Sequence, residues 1–372
     1  MNLNTIVRAL VIAFLSFAAV PRILAQAKAE THVNQRATAP PAGSGHWIAP
    51  AGTSISVDRE TGRISMELPT QPIDGSREQQ VRFEEWRRHP YPGSGPFPST
   101  REEPDSLPSH TIYRPQDLGK TAKLPLLLWA SGGCRNTSVE FTRFLGELAS
   151  HGYLVVAVGR SDVPFMIVNY NGGLGVLGNG SVPNPAVPLQ VTDPAVMLRG
   201  LDWAVAENSR EGSPLFGKVD AGKVAALGQS CGGTQAFRAA RDPRIKTVVA
   251  LNSGFPTKAG GSAEPNTAAD WTVENLAIPA ALFEGGPADL AFASSEASFK
   301  ALPETTLVLK ANMPLLGHTG AYAMPDIRWT RGVLAWLDWQ LKGEAEALKM
   351  FSGPLCTMCT DDDWWVQSRN LR

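Results

Sequence analysis

The chain lacks a charge imbalance: 34 Lys and Arg against 35 Asp and Glu leave a formal net charge of -1 over 372 residues. Binding to nucleic acid or to an anionic membrane surface rests on a cationic surplus, so neither partner is implied. Long hydrophobic runs are lacking too. The stretch "ALVIAFLSFAAV" near the start is twelve residues, and no later stretch reaches the roughly 20 that a membrane-spanning helix needs. The sequence holds no H-E-x-x-H, no EF-hand loop and no G-x-x-x-x-G-K-[ST], so no metal and no cofactor is expected. Internal repeats of fixed period are absent, which excludes solenoids and propellers.

What is present is a 43% hydrophobic composition, enough for a large core. The start reads as an export signal: Arg8 supplies one cation, residues 9–20 an apolar stretch, and Ala25 and Ala27 the small residues of a cleavage site. Residues 1–27 are therefore expected to be removed after Ala27, leaving a secreted or periplasmic chain with no membrane span. Cysteine is scarce, at four residues, Cys134, Cys231, Cys356 and Cys359. In an oxidising compartment thiols within reach pair, so two disulfides are open. Cys356-x-x-Cys359 has no second CxxC or histidine cluster to complete a zinc site.

Residues 28–60 are polar, rich in Ala, Gly, Pro and Thr and without helical or strand period, and are expected to be poorly ordered. Residues 61–372 are expected to form one folded domain. Prolines interrupt 83–110 repeatedly. Beyond that, strand-like runs at "HTIYRP", "KLPLLLWA", "YLVVAVG", "KVAALG", "IKTVVALN", "PAALFEG" and "TTLVLK" alternate with helix-like runs. These begin at "SVEFTRFLGELASHG" and "DPAVMLRGLDWAVAEN", continue over 232–241 and 294–301, and end in "RWTRGVLAWLDWQLKG". Buried strands alternating with helices predict an α/β fold, a mostly parallel sheet covered by helices on both faces.

One glycine-rich turn stands out in that frame. Gly228-Gln229-Ser230-Cys231-Gly232 lies between an apolar strand and a helix, the context a G-x-S-x-G nucleophile elbow requires. The turn is so sharp that side chains two positions either side of the serine would collide. A serine hydroxyl needs a base to act as a nucleophile at neutral pH. Of six histidines, His32, His46 and His89 precede the regular core, His110 opens an early strand and His151 sits in a turn before a strand. Only His318 follows the last expected strand, at the carboxyl end of the sheet where ligands bind. The base needs a carboxylate in turn. Asp289, in a Gly-Pro turn past a buried strand, is preferred to Glu284 at that strand's last position, and Asp270 ranks third. Cys231 is not the nucleophile, because the elbow is centred on residue 230.

The elbow "GQSCGG", then "GGPAD", then "GH", in the chain order Ser, Asp, His, resembles the α/β-hydrolase superfamily over residues 109–342. The stretches "LLLWASGGCRNTS", "ASHGYLVVAVG" and "GQSCGGTQA" resemble secreted hydrolases of the dienelactone-hydrolase and polyester-hydrolase branches. That resemblance implies cleavage of carboxylic esters without a cofactor, on small-molecule or polymeric esters. "SGGC" departs from the His-Gly of many relatives. Two backbone N–H groups would form the oxyanion hole, that of Cys231 and, by analogy, that of Cys134 or Gly133. If both cysteines flank one oxygen atom, their Cα atoms come within reach of a disulfide, and a Cys134–Cys231 bridge is expected. Cys356 and Cys359 then pair locally or stay reduced.

Substrate contacts are weakly written. Phe165, Met166 and Tyr170, in a loop leaving a strand's carboxyl end, and Trp129, beside the oxyanion loop, are the pocket candidates. The expected function is an exported serine esterase acting through an acyl-enzyme. Polyester, lactone or activated carbon-carbon hydrolysis would use the same triad. A non-catalytic binding protein on the same fold is the reading from another class, and such proteins normally lack a triad member.

Overall fold

The computed structural model describes residues 89–160, 193–255, 257, 272–314, 316–318 and 327–371, with six short strands elsewhere. The expected export signal 1–27 and its cut after Ala27 lie outside the described residues.

Nine strands of these regions form one sheet: β1 (Ser99–Glu102), β2 (His110–Pro115), β3 (Leu124–Ala130), β4 (Leu154–Val158), β5 (Val219–Gln229), β6 (Ile245–Leu251), β7 (Ala280–Glu284), β8 (Val308–Asn312) and β9 (Trp365–Arg369). They lie in the order β9-β8-β7-β6-β5-β3-β4-β2-β1, and the two-residue strand His32–Val33 pairs outside β9. Strands β3 to β8 run parallel; β2 pairs antiparallel with both β4 and β1, and β9 pairs antiparallel with β8. The α/β class and the mostly parallel sheet expected from the sequence are therefore present.

Every residue of β3, β4 and β7 is buried. Their apolar runs do not alternate because helices cover both faces. On one face Leu127 and Trp129 of β3 meet α1 (Thr142–Ser150) and α5 (Ile327–Leu337), through Phe144, Leu148, Trp329 and Trp336. On the other, Leu126 and Leu128 meet α2 (Pro194–Ser209), α3 (Cys231–Ala239) and α4 (Phe292–Ala301), through Leu201, Phe237 and Phe299. Each fully buried Leu, Val or Phe contributes about 1.5–3 kcal/mol. Helix α2 starts where the chain dictates: Asp193 accepts a hydrogen bond from the Val196 N–H at 3.2 Å, and Pro194 stands at the first turn, where its missing N–H costs nothing.

Four segments hold elements that the sequence reading does not place. Residues 28–60, which show no strand period, hold the strands His32–Val33, Trp47–Ala49 and Thr53–Val57, the last two in a three-stranded sheet with Ile64–Glu67. These runs are too short for a period to emerge from polar surroundings. In the proline-interrupted stretch, β1 begins just after Pro98 and holds no proline itself. The last helix gives way to a wider turn over Asp338–Lys342 that ends at Gly343 in the left-handed region. Finally, β9 was not expected, because "WVQSR" is polar; its Arg369 is buried and donates to the carbonyls of Phe299 at 2.6 Å and Leu302 at 3.2 Å. His318 thus follows the last parallel strand, with β9 still to come.

His110, set aside as a base, is buried at the start of β2 and bonded at both ring nitrogens, to Ser109 Oγ and the Val196 carbonyl, each at 3.0 Å. Burial, together with the charge of Arg199, lowers its pKa to about 4 against the Val196 hydrogen bond. The unfolded chain, with an ordinary imidazole, takes up this proton first, so stability is lost as pH falls from about 6.5 to 4. The loss from this group amounts to about 3 kcal/mol. Urea unfolding at pH 7 and pH 4 should show His110→Gln losing that much less than wild type; equal losses would contradict the assignment.

Candidate active site

The chain leaves β3 toward α1 on one face and β5 toward α3 on the other, and these two strands are neighbours. Connections that diverge from adjacent parallel strands open a crevice at the carboxyl edge, where α/β sheets bind ligands. Ser230 stands at the end of β5, the 131–134 turn at the end of β3, Asp289 beyond β7 and His318 beyond β8.

Ser230 has φ 54° and ψ -126°, a conformation that costs a non-glycine residue about 1–3 kcal/mol and persists only when its surroundings impose it. The surroundings are visible. A Cβ on Gly228 would overlap the Gly232 carbonyl, and a Cβ on Gly232 would overlap the Ala130 carbonyl of β3. These are the collisions expected two positions before and after the serine. The Ser230 backbone is pinned by its N–H on the Leu251 carbonyl at 3.0 Å, while its own carbonyl accepts from Gly233 N at 2.9 Å and Ser253 Oγ at 2.7 Å.

His318 and Asp289 are in direct contact, Nδ1 to Oδ1 at 2.6 Å, with the Asp289 carboxylate buried. Ala291 N–H donates to the same oxygen at 2.9 Å; Asn252 Nδ2 at 2.7 Å and Gly285 N–H at 3.3 Å donate to Oδ2. Burial alone would raise the Asp289 pKa. The hydrogen bond and charge of His318, then Asn252 and Ala291, outweigh it and hold the carboxyl below its ordinary value. This bond fixes the imidazole tautomer, leaving Nε2 as the acceptor. The contact recorded between the elbow and His318 runs through Gln229, whose Nε2 donates to the His318 carbonyl at 3.1 Å.

Glu284, the rival acid, is the last residue of β7 and fully buried. Burial, and then the negative charge of Asp289, push its pKa well above its ordinary value. Neither of its carboxyl oxygens hydrogen-bonds His318. Asp270 lies outside the described residues.

The turn after β3 brings the expected oxyanion residues beside the elbow. Gly133 and Cys134 have φ of 64° and 51°, and Arg135 Nε ties the turn by donating to the Gly132 carbonyl at 2.9 Å. Cys231 is the first residue of α3, where backbone N–H groups point out of the helix toward bound negative charge. Cys134 and Cys231 pair at disulfide distance, Cα to Cα 5.2 Å, and Cys356 pairs with Cys359 at 5.0 Å. The first pair closes a loop across 97 positions, for which chain entropy gives at most about 4.7 kcal/mol of stabilisation.

Of the pocket candidates, Trp129 is 1% exposed, packed on Phe141 and Phe144, with its indole N–H donating to Ser131 Oγ at 3.1 Å. It braces the 131–134 turn from within the core and exposes almost no surface. Phe165 and Tyr170 lie outside the described residues; Met166 opens a strand, Met166–Val168, that pairs with Leu174–Val176. Three polar side chains at the site went unread in the sequence: Asn252, Ser253 and Gln229. Their signal was position, at the carboxyl ends of β6 and β5. Leu290, next to Asp289, is 65% exposed and adds an apolar contact at this edge. Among the described residues no cluster of metal-ligating side chains occurs, and no helix is long and apolar enough to cross a membrane. The chain matches no protein-family model and no curated protein.

Proposed function

We propose that this protein is a serine hydrolase of carboxylic esters with an α/β-hydrolase fold, exported to an oxidising compartment. The observation that carries the reading is the His318–Asp289 contact at the same sheet edge as a strained Ser230 elbow. The order of parts supports it, with nucleophile after β5, acid after β7 and base after β8. Two cysteine pairs at disulfide distance fit an oxidising environment.

In this mechanism Ser230 Oγ attacks the ester carbonyl carbon while His318 Nε2 takes its proton, and the carbonyl oxygen becomes an oxyanion held by the N–H groups of Cys231 and of Cys134 or Gly133. Collapse expels the alcohol, which receives the proton from His318. Water, deprotonated by the same imidazole, then releases the acid and restores Ser230. Asp289 stabilises the imidazolium in both halves. The base and nucleophile draw together when substrate binds, as triad hydrogen bonds do.

A fluorophosphonate probe and a chain-length series of p-nitrophenyl esters test the reading on purified protein. Expected is covalent label on Ser230 and ester turnover; folded protein that takes no label would sink it. Preference for short acyl chains marks a closed pocket, and activity on long chains or polyesters an open cleft.

A further inference from the structure

Asn252 follows β6, a strand that supplies none of Ser230, Asp289 or His318, and its side chain is nevertheless fully buried against the Asp289 carboxylate. Its single amide nitrogen makes two hydrogen bonds, to Asp289 Oδ2 at 2.7 Å and to the Gly317 carbonyl at 3.1 Å. Gly317 immediately precedes His318. One NH2 group therefore holds the loop that carries the acid and the loop that carries the base. Its two protons point at two acceptors, which fixes the amide's orientation. The backbone is equally specific: Asn252 has φ 48°, in the left-handed region that Asn, Asp and Gly tolerate best.

We infer that Asn252 is a positioning residue for the proposed triad, setting the Asp289 carboxylate against His318 and supplying a donor where a second acid would be repelled. The inference rests on reading Ser230, Asp289 and His318 as the catalytic groups. Leu, Val or Ser at 252 would satisfy neither loop. Aspartate would match the shape and the backbone, yet place an oxygen against Asp289 Oδ2, where two carboxylates cannot both ionise. The side chain chosen is the one that fits the left-handed backbone and donates twice.

The test separates backbone, donor and charge. Asn252→Gly keeps the left-handed conformation and removes the donor. It should lower kcat by up to about 10²-fold with KM little changed, the cost of misplacing a catalytic group by about an ångström. The acid limb of its kcat/KM profile should move to higher pH, because a carboxylate without this donor holds the imidazolium more strongly. Asn252→Asp should acquire a descending alkaline limb absent from wild type. At low pH the shared proton replaces the amide donor, and its loss leaves two facing anions. The other titratable groups turned toward this cluster are His318, Glu284 from β7, and Lys310 from β8, which interacts with Glu284 and pairs with Glu296 of α4. None of these is altered by either substitution.

Both variants are measured against wild type for ester turnover and fluorophosphonate labelling, with folding checked by circular dichroism. Unchanged profiles in folded variants overturn the role of Asn252, provided wild type is labelled; unlabelled wild type removes the triad reading itself. A loss of kcat equal at every pH also overturns it, since that is what loosened packing alone would give. Should Asn252→Gly fail to fold, the alkaline limb of Asn252→Asp decides.

Discussion

Replacing Ser230 by alanine is expected to lower kcat by about 10⁶, the cost of removing the nucleophile from a comparable triad. The substitution deletes one oxygen and little else. Alanine carries the same Cβ into the strained elbow as serine, at φ 54°, so the backbone cost of the turn is unchanged. The pins on that backbone, from Leu251, Gly233 and Ser253, all use main-chain atoms of residue 230 and survive the change. Stability should therefore stay near wild type while turnover collapses to the residue left by the oxyanion donors, about 10³–10⁴ over the uncatalysed rate. No neighbouring thiol is expected to stand in, because Cys231 pairs with Cys134 at disulfide distance. The measurement is single-turnover and steady-state hydrolysis of an activated ester by protein shown to be folded. More than about 1% of wild-type kcat in Ser230→Ala would transfer the nucleophilic role elsewhere.

The elbow was legible in the sequence because most of its signal is local. Gly228 is dictated by a collision with Gly232 four positions on, and an apolar strand running into a helix announces the turn between them, although Gly232 itself answers to the Ala130 carbonyl of β3, far away in the chain. The parallel core was legible for a similar reason: strands such as β3 and β4 are buried on both faces and read as unbroken apolar runs. The Cys134–Cys231 pair followed from requiring two backbone donors at one oxygen atom. Asn252 was not legible. Nothing within ten residues of it indicates an acid, and its partners, Asp289 and Gly317, are 37 and 65 positions away. β9 was hidden by polarity, since Arg369 looks like surface in the sequence but is buried, its two terminal nitrogens donating to the carbonyls of Leu302 and Phe299. Trp129 shows the converse. It does sit beside the 131–134 turn, but its ring turns into the core because β3 alternates its side chains between two covered faces.

The identity of the acid carries the second large effect: Asp289→Asn should lower kcat by about 10⁴, while Glu284→Gln should remain within about threefold of wild type. The asymmetry follows from the donors. Oδ1 of Asp289 accepts from His318 Nδ1 and Ala291 N, and Oδ2 from Asn252 Nδ2 and Gly285 N, so donors occupy both sides of the carboxylate. An asparagine there has one acceptor oxygen and one NH2. Whichever way it is flipped, the NH2 faces donors. If it faces His318, the imidazole must present a bare Nδ1, which moves its proton to Nε2 and disables the atom that should accept from Ser230. If it faces Asn252 instead, the amide that joins the acid and base loops is pushed off. Either outcome also removes the negative charge that stabilises the imidazolium in the transition state. Glu284 is different in kind, because burial and the charge of Asp289 both favour its neutral form, and glutamine is the near-isosteric neutral substitute for that form. Steady-state kinetics of the two variants, with folding verified, decides between the acids. The reverse ranking would assign the role to Glu284, and two mild phenotypes would send it to a residue such as Asp270.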